Sequence, residues 1–300
     1  MKKFVNDMKL GFIGYIYPPA PEINKPLDYL KWQLVKAHEL ECEVLHVSSP
    51  MPTEKAEEDE LRGLLNKYGI ELELRVGRDV FELTGPNAAA ARKNIVERIK
   101  YARSFGVKIL RNGYGTLKEE TTRFNKKNPV KAQLDFLTGN LKEAAKIFEA
   151  NDMLYALENH CDFTGRELAT VFERVNSANV GAALDTANGY TVFCDPNDDV
   201  KDLAPYSITT HIKDSKVMDY KGDDIMPYLP LGCPLGDGNV DIAEAIQILR
   251  EQSPHAQGLH LVLEQGWYGG LGGDMDKRLY NYMVMEKGLK YLKQLITIDS

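Results

Sequence analysis

Cysteine is scarce in this sequence. Cys42, Cys161, Cys194 and Cys233 are scattered along the chain, and no two of them form a CxxC pair. A disulfide framework and a thiolate-held metal site are therefore poorly supported, and a reduced, cytoplasmic setting is expected. Long apolar runs are missing as well. No stretch approaches the roughly 20 apolar residues of a membrane span. Met1 to Leu10 carries lysines but no apolar core of signal-peptide length. No membrane partner is expected. Positive charge is in deficit: 37 Lys and Arg face 44 Asp and Glu, for a formal net charge of −7. Nucleic-acid surfaces are normally basic, so no nucleic-acid partner is expected, although net charge leaves a local groove open. No GxGxxG turn follows the first strand-like run, and no linker or low-complexity segment divides the 300 residues. That disfavours a dinucleotide-binding sheet and a second domain.

What is present is a regular alternation. Strand-like runs lie at Leu10 to Tyr17, Cys42 to Ser49, Glu71 to Gly77 and Lys108 to Tyr114. Four more lie at Met153 to His160, Val180 to Asn188, Ile208 to Asp214 and Leu259 to Gly266. Helical spacing of apolar residues separates them, as at Leu27, Leu30, Leu34, Ala37 and Leu40, or at Ile95, Ile99 and Ala102. Thr164 to Glu167 matches a capping box, Asp241 to Glu244 opens another helix in the same style, and Asp276 to Leu295 reads as the closing helix. Eight strands each followed by helix-compatible sequence predict an α/β fold, a single (β/α)₈ TIM barrel over residues 1–300. Long loops are expected at about 216–239 and 265–275.

In such a barrel, chemistry gathers where strands end. Four successive runs end alike: Ala156-Leu157-Glu158, Ala183-Leu184-Asp185, Thr210-His211 and Val262-Leu263-Glu264. A carboxylate placed directly after apolar residues is costly unless it is paired or binds a cation. One such residue reads as a helix cap or an ion-pair partner. Four in the same register on consecutive strands point to one divalent-metal site. Three carboxylates and an imidazole suit Mn²⁺, Mg²⁺ or Co²⁺ better than a structural Zn²⁺. Mn²⁺ is the leading expectation, with Mg²⁺, Co²⁺ and Zn²⁺ open.

These stretches, LENH at 157–160, LDTAN at 184–188, THIKD at 210–214, PLGDGNVD at 234–241 and LVLE at 261–264, resemble the xylose isomerase-like TIM-barrel superfamily. The likeness is to its sugar phosphate isomerase/epimerase branch, which includes the ketose 3-epimerases. It implies that Glu158, Asp185, His211 and Glu264 bind a metal, and that Glu158 and Glu264 double as the acid/base pair. Asn188 departs from that pattern, because many relatives carry a histidine three residues after the aspartate.

Other residues are weighed beside these. His160 reads equally as a substrate contact or a buried structural histidine. Lys213 borders the proposed metal as a substrate contact, with a strand-end lysine reaching solvent as the plainer reading. Arg111 could bind a hydroxyl or phosphate, or form a surface ion pair. Asn188 and Trp267 complete the substrate-binding candidates; the latter opens an aromatic, glycine-rich stretch that suits a cover or a subunit contact. His46 ends the second strand-like run and could face the pocket, although a lone strand-end histidine reads more often as structural.

The expected activity is a metal-dependent isomerase or epimerase of a sugar or sugar derivative, working by proton transfer next to a carbonyl through an enediolate. The alternative is a metal-dependent lyase or dehydratase on an oxidised sugar such as a 3-oxo-glycoside. An abasic-site endonuclease and a non-catalytic scaffold rank lower, since only six histidines are present and the ligand set is intact. A homo-oligomer or a partner subunit is left open.

Overall fold

A computed structural model describes residues 4–115, 122–219, 228–265 and 275–299. After a short strand, β1 (Phe4–Asn6), come the barrel strands β2 (Lys9–Ile13), β3 (Val44–His46), β4 (Glu71–Arg75) and β5 (Ile109–Gly113). They are followed by β6 (Leu154–Glu158), β7 (Val180–Asp185) and β8 (Ser207–Ile212). A hairpin of β9 (Asp214–Asp219) and β10 (Tyr228–Cys233) precedes the last barrel strand, β11 (His260–Leu263). All eight barrel strands pair in parallel, and β11 closes the ring by pairing with both β8 and β2. The protein is thus a single TIM barrel, as the alternation predicts.

Strands buried on both faces read as continuous apolar runs, which is why these were visible without a clean period of two. Their close approach also requires missing side chains. A Cβ on Gly11 would lie 2.4 Å from the Val44 carbonyl oxygen, and one on Gly181 would lie 2.2 Å from that of Tyr206.

The outer ring consists of α1 (Pro26–Glu39), α2 (Lys55–Tyr68), α3 (Ala88–Arg103), α4 (Val130–Ala150), α5 (Gly165–Val175), α6 (Pro196–Leu203), α7 (Ile242–Gln252) and α8 (Lys277–Ile296). The capping box at α5 is complete: Thr164 Oγ1 accepts from Glu167 N–H, and the Glu167 carboxylate accepts from Thr164 N–H. Asp241 caps α7 by accepting from Glu244 N–H at 2.9 Å. Beyond α8, β12 (Thr297–Asp299) pairs antiparallel with β1, which ties the two ends of the described chain together.

One expectation is corrected. Residues 216–239 are not simply a loop, because β9 and β10 form an antiparallel ladder from Asp214↔Cys233 to Asp219↔Tyr228. Asp214 staples its base by accepting from the N–H groups of Ser215, Gly236, Gly238 and Val240 at 2.8–3.2 Å. Pro230 concealed the second strand, yet a two-stranded ribbon has free edges where proline is tolerated. Residues 220–227 lie outside the described residues, as does most of the 265–275 segment, including Trp267.

Candidate metal centre and active site

Glu158 and Asp185 are the last residues of β6 and β7, His211 is the penultimate residue of β8, and Glu264 directly follows β11. The parallel register sets them side by side: Asp185 pairs with His211, and Glu264 N–H donates to the Ile212 carbonyl at 3.0 Å. One ligand atom from each of the four residues lies within 4.8 Å of the others. His211 Nδ1 is 3.0 Å from Glu264 Oε2 and 3.5 Å from Glu158 Oε1.

The neighbours account for how this charge is tolerated. Asp185 Oδ1 accepts from the N–H groups of Ala187 and Asn188, at 2.9 and 3.0 Å. The Lys213 ammonium is 2.8 Å from Asp185 Oδ2 and 3.3 Å from Glu264 Oε2, so it faces the cluster rather than solvent. Tyr15 donates its hydroxyl to Glu264. Asn188 Nδ2 sits 3.5 Å from Glu158 Oε1, at the long limit of a hydrogen bond. Arg111 is fully buried within β5, which rules out the surface ion pair. Its guanidinium is 3.1 Å from Glu73 and 3.4 Å from Glu158, and it also donates to the Thr210 carbonyl at 3.2 Å.

Protonation follows from these contacts. Burial pushes the Glu158 and Glu264 carboxyls up, but His211 with Arg111, and His211 with Lys213, outweigh it and hold both below the usual carboxylate range. Burial raises Asp185, and the two neighbouring carboxylates raise it further against the pull of Lys213. Burial and Arg111 oppose protonation of His211, yet Glu264 and Glu158 together lift its pKa to about 9. Tyr15 stays a protonated phenol because burial and the Glu264 charge both raise it.

The residues fit a divalent cation. Asp185 Oδ2 and His211 Nδ1 are buried and lack a hydrogen-bond partner. The Lys213 ammonium, 2.8 Å from Asp185 Oδ2, is its charge partner within the cluster. Two polar atoms turned inward together in this way have the form of ligand atoms. Charge agrees: three carboxylates are balanced by Lys213 and a divalent ion beside a neutral imidazole.

A cavity of about 420 Å³ opens over the cluster, walled by Tyr15, His46, Arg111, Glu158, His160 and Glu264 among others. His160 reaches it with Nδ1 2.9 Å from the Gly115 carbonyl oxygen. Two contributors, Tyr15 and Glu73, were not anticipated, and a third, His46, was weighed mainly as structural. Tyr15 lies two residues beyond β2, a strand-end position overlooked amid the prolines that follow. Glu73 is a charged residue at an inward position of β4, a signal the run Glu71-Leu72-Glu73 does contain. His46, for which the structural reading was the stronger of two, lines the cavity and is 2.9 Å through Nδ1 from His211 Nε2.

The sequence profile of the xylose isomerase-like TIM barrel family matches residues 34–294, and the chain belongs to that family. Solved structures agree on the fold. A xylose isomerase-like TIM-barrel protein from Mycobacterium smegmatis, in complex with magnesium, is 18% identical at a TM-score of 0.66, with 96% of each chain covered. D-psicose 3-epimerase from Clostridium cellulolyticum H10, solved with D-tagatose, is 17% identical at a TM-score of 0.68, covering 96% of this chain and 98% of that one. The probable 3-DHS dehydratase involved in petrobactin synthesis from Bacillus anthracis is 16% identical at 0.64, covering 95% and 99%. No curated protein is similar enough in sequence to count as a match. Among the described residues, no helix is long and apolar enough to cross a membrane.

Proposed function

We propose that the protein is a metal-dependent isomerase or epimerase of a sugar or sugar derivative, with Glu158, Asp185, His211 and Glu264 holding the ion. The observation that carries this reading is the pairing of two ionised carboxylates, Glu158 and Glu264, on either side of His211 at the floor of one cavity. A cation bound there, Mn²⁺ by preference, supplies Lewis-acid charge to the oxygens of a substrate carbonyl and its neighbouring hydroxyl. One carboxylate removes the proton from the carbon bearing that hydroxyl, and the other carboxyl, protonated from solvent, returns one on the opposite face. Either carboxylate is poised as the base. On the Glu264 side, Tyr15 and Lys213 donate to the carboxylate and so orient it and hold it ionised. His160 and Asn188 border the same space as substrate contacts.

Tyr15 also favours a second reading. A protonated phenol beside the second carboxylate suits departure of a leaving group, as in β-elimination from a 3-oxo-glycoside. The same family fold serves a dehydratase as well as epimerases, at identities that speak for fold alone. An NMR screen in D₂O with Mn²⁺-loaded protein, the ion removed before measurement, separates the two. Deuterium uptake at one carbon of a ketose with no loss of substituents supports epimerisation, and a released aglycone supports the lyase. Absence of both across ketoses and 3-oxo-glycosides contradicts the enzymatic assignment.

A further inference from the structure

His46 ends β3, is buried, and has its Nδ1 2.9 Å from His211 Nε2. A hydrogen bond between two imidazoles needs one N–H and one lone pair, so the two rings constrain each other's protons. His211 turns Nδ1 toward the carboxylate cluster. If that nitrogen faces a cation it is a bare lone pair, and the ring's single proton is on Nε2. With the cation held, His211 Nε2–H is therefore the donor and His46 Nδ1 the acceptor. The proton of a neutral His46 ring is then on Nε2.

That Nε2 is buried, has no hydrogen-bond partner among the described residues, and belongs to a side chain lining the cavity shared with Glu158 and Glu264. Buried N–H groups in native proteins are nearly always paired, and an unpaired one next to a cavity is a vacancy for an acceptor. A structural histidine would have used both nitrogens on the protein.

We propose that His46 is a substrate-binding residue: its Nε2–H donates to an oxygen of the molecule in the cavity, while its Nδ1 positions His211. This rests on the reading above that the cavity receives the substrate. The acceptor it fits is a neutral hydroxyl or carbonyl oxygen. A fixed donor there gains strength as charge builds on that oxygen during proton removal.

Two conservative replacements separate the two nitrogens, since an Asn side-chain oxygen can stand in for Nδ1 and a Gln amide for Nε2–H. His46→Asn keeps an acceptor for His211 and lacks the cavity donor. We expect it to bind Mg²⁺ or Mn²⁺ nearly as wild type while deuterium exchange into D-tagatose or a 3-oxo-glucoside falls about tenfold or more. For His46→Gln, metal affinity should fall about tenfold or more. ¹⁵N-histidine NMR of the full chain with Mg²⁺ should place the His46 proton on Nε2. A proton on His46 Nδ1, or wild-type exchange rates in His46→Asn, overturns the proposal. If the wild-type chain exchanges neither substrate, the functional reading fails alone, and the position of the His46 proton still decides this one.

Discussion

Single side chains carry the chemistry, and their removal should be read as chemistry first. Glu158→Gln and Glu264→Gln should each lower deuterium exchange about 10²- to 10⁴-fold, as expected for loss of a general acid or base, with far-ultraviolet circular dichroism unchanged. Arg111 acts differently, because it lies between Glu73 and Glu158 in the barrel interior. Arg111→Met leaves the fully buried Glu73 with His260 as its remaining cationic partner, and should cost about 1–3 kcal/mol in denaturant unfolding. It should also move the acid limb of the exchange rate to higher pH, since Arg111 helps hold the Glu158 carboxyl down. The four ligand candidates were legible because each follows an apolar run at the same place on successive strands. Arg111 was legible only as a polar residue near a strand end. Its partner Glu73 lies 38 residues away in sequence, and only barrel closure reveals the contact.

At the scale of elements, closeness of strands sets the tolerance. Adding a methyl group would drive a Cβ into the Val44 carbonyl of β3 at Gly11, or into the Tyr206 carbonyl just before β8 at Gly181, so Gly11→Ala and Gly181→Ala should each destabilise by about 1–3 kcal/mol or more in chemical denaturation. The strands were visible because parallel barrel strands are apolar on both faces, and α5 because its capping box is local. The β9–β10 hairpin was not. Residues 220–227, between its strands, lie outside the described residues, Pro230 mimics a break, and Asp214 gathers its base through backbone donors spread over 26 residues. Such long-range satisfaction of one carboxylate has no local signature.

Across the whole molecule, a second polar layer lies inside the barrel near His260. His260 Nδ1 is 2.7 Å from Glu73 and its Nε2 is 3.1 Å from Glu71. Burial opposes its protonation, but the two carboxylates win and raise its pKa from 6.5 to about 9. Its contribution to stability is therefore complete below pH 6.5 and drains away as the pH rises through about 9. On the acid side the hydrogen bond from His260, with Lys9, holds Glu71 at about 2, so that contribution disappears as the pH falls from 4.5 through about 2. Thermal unfolding of metal-free protein should show both slopes, and His260→Gln should flatten the alkaline one. Equal alkaline slopes in the two chains would remove His260 from the account.

The central claim is that four strand ends make one divalent-metal site, and calorimetric titration with Mn²⁺ near neutral pH tests it most directly. With His211 at about 9 in the metal-free protein, each ion must displace a proton on binding. Titrations in buffers of different ionisation enthalpy should give one Mn²⁺ per chain and about one proton released, falling toward none above pH 9. Asp185→Asn and His211→Gln should each weaken binding at least about tenfold. Failure to bind Mn²⁺, or binding that neither substitution weakens, would contradict the account.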